Sequence, residues 1–322
     1  MKDRLANLIK LLISAGLLFV LFRTLDVRQS WEALRNIHLG FFAGAVFLFA
    51  LTQVIRAFRW RVLLTAVDVH VPAWRLIYLY TVGTFFNTFL PSGFGGDAIK
   101  MYELNRYSRR GSESVSTVLL DRWIGLVALF VLGLIALPLV YAELPQPEAA
   151  ILAIVCVLGL LASWLIFQKR LVERLLGLLP GRLRPKMLSF YQAVHTAGTG
   201  ALWKALGISM LFSVVLFVLN YFLALAVGIH VSFVYVIAFM PLLSLSMTVP
   251  SIGALGTREG AYVLLFGAAG VPEPLALAMS LAFYAVNVLI GIIGGLLYVG
   301  GAAMGLRRAP RSRKEGQGVE ND

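Results

Sequence analysis

The sequence predicts an all-α polytopic membrane protein, and three observations predict it. Of the 322 residues, 59% are hydrophobic and only 14% are charged, with mean hydropathy +0.84. That is more apolar surface than a soluble chain of this length hides. The apolar residues fall in long continuous runs, not in the short alternating segments of a transmembrane barrel. Two of those runs end in a glycine-rich break that closes on an acid: Phe85–Lys100, FFNTFLPSGFGGDAIK, with Asp97, and Thr248–Tyr262, TVPSIGALGTREGAY, with Glu259. Irregular backbone survives at membrane depth only where protein or a watery cavity covers it. Paired breaks in two halves of a chain point to a transport site.

Taken in order, residues 5–22 form the first span, after Lys2 and Arg4, with no small-residue cleavage site behind it. Residues 23–38 place Trp31, Leu34 and Ile37 at helical spacing among charges, as in a short interfacial helix. Residues 39–55 span and run into Arg56, Arg59, Trp60 and Arg61. Residues 76–98 are too short to cross and return, and read as a re-entrant hairpin. Residues 118–141 and 149–167 are full spans. Residues 168–202 are basic and amphipathic, suited to the membrane surface, and 203–227 span again. Residues 233–271 are either a second hairpin or two spans. Residues 275–305 form the last span, with Gly291/Gly295 and Gly301/Gly305 spaced for close helix contact. The charged tail 306–322 has the composition of a disordered segment. The expectation is a single domain over 1–305 with about six full spans and two re-entrant hairpins, six to eight spans in all.

Charge sets the orientation. With both termini in the cytoplasm, most of the 28 Lys and Arg face inside, and only Arg23, Arg28 and Arg35 face outside. The halves, about 1–141 and 149–305, then enter the membrane in opposite senses as an inverted repeat. The net charge of +12 therefore reads as topology and lipid contact, not nucleic-acid binding. One cysteine, Cys156, and four scattered histidines leave no disulfide framework and no metal motif, and no GxxxxGK[ST] loop is present. No cofactor is expected.

The candidate site residues follow from this frame. Ser92, Gly93, Gly95 and Gly96 in the first elbow, and Ser251, Gly253 and Gly256 in the second, permit close backbone approach and free amides for an anion. Asp97, Arg258 and Glu259 are charges at membrane depth, where they are either functional or paired with one another. Arg56 and Arg59 are three apart and share a helix face. They either collect anionic headgroups or anchor the span. Asp121 and Arg122 are adjacent and point in different directions, and Asn87 is a polar group on an apolar segment that suits a helix–helix hydrogen bond as well as a ligand.

Four stretches, RAFRWRVLL, FFNTFLPSGFGGDAIKMYEL, DRWIGL and PSIGALGTREGAYVLLF, together resemble the flippase-like transmembrane region of the lysylphosphatidylglycerol synthases. The resemblance covers nearly the whole chain. It implies a multi-pass protein of the bacterial inner membrane that moves a lipid between leaflets. Arg59, Asp97, Asp121, Arg122, Arg258 and Glu259 carry over as motif members without assigned roles. The family's synthase chemistry resides in a further C-terminal domain. This sequence ends soon after its last span, so a non-enzymatic lipid transporter of flippase or scramblase type is expected. Its partner is a membrane phospholipid or lipid-linked headgroup, with a second copy or a separate lipid-modifying enzyme as candidate protein partners. The alternatives are a membrane-embedded transferase and an accessory subunit of a separate synthase.

Overall fold

The computed structural model describes residues 27–89, 95–141, 146–168, 184–247 and 256–303. Within them the chain is all helical: α1 Val27–Arg35, α2 Leu39–Ala66, α3 Ala73–Phe89, α4 Gly95–Ser108, α5 Gly111–Val140, α6 Gln146–Leu165, α7 Arg184–Ala226, α8 Phe233–Ser246, α9 Thr257–Ala268 and α10 Glu273–Ala303. Five of these, α2, α5, α6, α7 and α10, are long and apolar enough to cross a membrane. The expected first span, 5–22, and the tail lie outside the described residues.

Several expected boundaries move, each for a physical reason. α2 does not stop at residue 55 but continues through the arginines to Ala66, because Arg59 and Trp60 are buried against protein instead of exposed at the interface. α5 starts at Gly111, seven residues before the expected start at 118, since Ser114, Ser116 and Thr117 return their hydroxyls to carbonyls one turn back. Arg184–Ala226 is helical on both sides of a break at Gly198, at φ 71° and ψ 159°. The predicted surface segment and span thus meet at that glycine rather than at 202. The 233–271 stretch resolves into helices of 14 and 12 residues. At 1.5 Å per residue neither reaches across a ~30 Å hydrocarbon core, as a hairpin requires.

The two halves are equivalent. On the register that pairs Ala66 with Ala226, AVDVHV follows α2 and AVGIHV follows α7. Both turns close in the same way. Val69 N–H donates to Leu64 O at 2.9 Å and Ile229 N–H to Ala224 O at 2.8 Å, with Asp68 (φ 58°) and Gly228 (φ 81°) in the left-handed position between. The packing repeats as well: α3 lies on α10 as α8 lies on α5, and α4 lies on α5 as α9 lies on α10. The equivalent helices α2 and α7 pack on each other and run antiparallel. His38 N–H donates to Ala226 O, Gly44 abuts Phe222, and Arg59 reaches Ser209. Equivalent helices that run antiparallel make the repeat an inverted one. Gln53 and its counterpart Ser213, both buried and without hydrogen-bond partners among the described residues, fall between those contacts, where the pseudo-two-fold axis passes.

Gly228 has no Cβ to strain its left-handed backbone, so Gly228→Ala is expected to lower unfolding free energy by about 1–2 kcal/mol in a denaturant titration. Asp68→Gly is expected to cost nothing by the same measure. Close packing elsewhere also depends on missing side chains. A Cβ at Gly294 would sit 2.1 Å from Thr81 O, and one at Gly295 would meet Phe85, so the predicted small-residue face of the last helix seats α3.

Candidate functional site

The site begins on the inner face of α2, where Thr52, Arg56 and Arg59 recur at helical spacing. Arg59 is buried and ion-paired to Asp121 of α5, Nε to Oδ1 at 2.6 Å, and its Nη1 donates to Ser209 Oγ of α7 at 3.0 Å. The Tyr80 hydroxyl of α3 donates to the other Asp121 oxygen. One carboxylate thus ties α2, α3 and α5 together. Arg56 lies beside this group, its guanidinium 4.6 Å from the Tyr80 ring and 5.7 Å from the Phe212 ring. Among the described residues Arg56 makes no ion pair.

The first elbow supplies the second carboxylate. Asp97 lies in the first turn of α4, where the helix dipole favours a negative charge. It pairs with Lys100 Nζ at 2.7 Å and with Arg122 Nε of α5. Lys100 in turn lies 4.3 Å from the Tyr80 ring. The elbow is tight. Gly96 N–H donates to Asn87 Oδ1 at 2.7 Å, and a Cβ on Gly96 would fall 2.2 Å from Gly83 O. Only glycine allows this approach.

These groups face a cavity of about 300 Å³ between the repeats. Its lining is paired by the repeat: Thr52 with Phe212, Arg56 with Leu216, Thr84 with Ser244 and Asn87 with Met247 are counterparts and all line it. The cavity therefore sits on the pseudo-two-fold axis, where transporters of inverted-repeat design place their sites. Its chemistry is one-sided. All its charges, Arg56, Arg59 and Arg122, come from the first half, which also contributes Phe49, Leu126 and Leu129, while the second half contributes only uncharged side chains, among them Leu216, Met240, Met247 and Phe283 with Ser244 and Asn287. Among the described residues, three guanidiniums and Lys100 surround two carboxylates, Asp97 and Asp121. Among these described groups cations outnumber acids, and apolar side chains of both halves complete the lining.

The predicted residues divide accordingly. Arg56, Arg59, Asn87 and Arg122 line the cavity; Asp97 and Asp121 hold the arginines in place, and Gly95 and Gly96 shape the elbow. Arg258 and Glu259 do not line it. They pair with each other; Glu259 also accepts from Gly256 N–H at 2.6 Å, and Arg258 donates to Ser280 at 3.2 Å and covers the Tyr284 ring. This self-contained cluster caps α9 and fastens it to α10. Ser92, Gly93, Ser251 and Gly253 lie outside the described residues. Asn220 accepts from Tyr262 at 2.6 Å, a helix–helix contact. Tyr80 and Lys100 were not among the predicted site residues. Lys100, three residues after Asp97 on a helix, was legible from spacing, whereas Tyr80 carried no local signal.

Comparison with known proteins places this architecture. Residues 7–295 match the transmembrane region of the lysylphosphatidylglycerol synthases. The chain belongs to that family. A UPF0104 membrane protein of Pyrococcus horikoshii is 23% identical to it, over 89% of this chain and 95% of the relative. As a member of the lysylphosphatidylglycerol synthase transmembrane family, the chain is a multi-pass membrane protein, and its stretches RAFRWRVLL and DRWIGL supply the arginines at the cavity.

Proposed function

We propose that this protein moves an anionic phospholipid, or a lipid carrying an anionic headgroup, between the leaflets as a flippase or scramblase. The observation that carries this reading is the axial cavity whose cationic side chains all come from one repeat and sit beside an apolar lining that the other repeat extends. A phosphate carries the charge that complements Arg56, Arg59 and Arg122. The apolar lining accepts the start of the lipid's chains, which stay in the bilayer. The inverted repeat provides two halves that rock against each other around a fixed site.

The experiment is leaflet-resolved transport in proteoliposomes containing fluorescently labelled phosphatidylglycerol. The wild-type protein is expected to speed movement of the label between leaflets. Arg56 takes part in no ion pair among the described residues, so Arg56→Leu is expected to leave thermal stability unchanged while slowing movement roughly tenfold, equivalent to about 1.4 kcal/mol. Wild-type protein that moves no labelled lipid faster than empty vesicles would end the reading. Recovery of chemically altered lipid would replace it with a transferase.

A further inference from the structure

The arginine run around Trp60 divides between two sides of α2. Arg56 and Arg59 reach the axial cavity, whereas Arg61 is exposed and lines a different cleft, of about 590 Å³, between α2 and α7. The two lie on opposite sides of the helix pair and share no lining residue.

The cleft's chemistry is specific. Arg61 from α2 and Lys204 from α7 flank it, and among the described residues no acidic side chain lines it. Neither cation is ion-paired among the described residues. Its walls are Phe58, Val62 and Ile208, and its floor is small: a Cβ added to Gly200 would meet nothing within 4 Å. The cleft lies at the end of α2 near Ala66 and just past the α7 break at Gly198. Trp203, next to Lys204, stands 71% exposed, as interfacial tryptophans do. Apolar walls on a membrane-spanning pair, with two unpaired cations at one end, complement an amphiphile whose chains lie in the bilayer and whose phosphate sits at its edge.

We propose that this cleft binds the phosphate of an anionic phospholipid from the surrounding leaflet, held between Arg61 and Lys204. The site goes beyond the transport reading and does not depend on it, since the cavity's arginines face elsewhere.

The test is native mass spectrometry of the full-length protein released from detergent containing equal dioleoyl-phosphatidylglycerol and dioleoyl-phosphatidylcholine. The wild type is expected to retain phosphatidylglycerol preferentially. Arg61→Ala/Lys204→Ala is expected to retain roughly one phosphatidylglycerol fewer per chain, and Arg61→Lys/Lys204→Arg to retain it. Both side chains are exposed, so these changes leave the packing intact. A control that removes two exposed cations elsewhere, Arg106→Gln/Arg109→Gln, is expected to keep wild-type retention. Unchanged retention in the alanine variant, or an equal loss in the control, would overturn the proposal. So would a change of oligomeric state in place of lipid loss, which would make the cleft an interface between copies.

Discussion

Asp121→Ala is expected to be among the most destabilising single substitutions in the chain, costing about 3–5 kcal/mol. The change leaves Arg59 buried, charged and without its carboxylate, and it strands the Tyr80 hydroxyl. Three helices lose their common fastening at once. Thermal unfolding of the purified protein in detergent measures the loss. Arg59→Met/Asp121→Leu is expected to recover much of it, because removing both charges also removes the burden of desolvating them. If the double variant proved as unstable as Asp121→Ala, the cost would lie in packing and not in an orphaned guanidinium. Transport should fall in both, since Arg59 belongs to the cationic wall.

Gly96→Ala is the second large effect. The added methyl carbon would lie 2.2 Å from Gly83 O and 2.7 Å from the Asn87 side chain. The first contact is with backbone and cannot rotate away. The elbow between α3 and α4 must open, at about 1–3 kcal/mol or more, and Asp97 moves with it. Loss of lipid movement is expected to exceed the loss of stability, because Asp97 sets the position of Arg122 in the cavity. Gly260→Ala, where an added Cβ meets nothing within 4 Å, serves as the neutral comparison. Equal behaviour of the two variants would sink the close-approach account.

Much of this was written in the chain in readable form. The long apolar runs gave the helices, and the glycine breaks after Phe89 and before Thr257 marked where helices had to stop. The repeat was legible too, but its clearest signal was not in the elbows, where a match is weak. It lay in the turns AVDVHV and AVGIHV, whose identical hydrogen bonding demands the same short sequence pattern. The pairing of Arg59 with Asp121 was not legible, because 62 residues separate them and only packing of α2 on α5 brings them together. For Glu259 the sequence left two readings open, a ligand-binding acid or a partner of Arg258, and the structure shows the pairing. Its neighbour Arg258 and the Gly256 amide satisfy it locally, which spacing alone allows but does not require.

The crossed packing of α3 on α10 and α8 on α5 sets a timetable for biogenesis. When α3 leaves the ribosome, the surface that will cover it is still some 200 codons away. At about 5–20 residues per second, that is a wait on the order of ten seconds or more. Throughout it, the α3 face around Thr81 and Phe85, which will seat against the glycines of α10, must be shielded by lipid or by the insertion machinery. Only when the final helix arrives does the earlier half acquire its missing wall, so the protein matures late and as a whole.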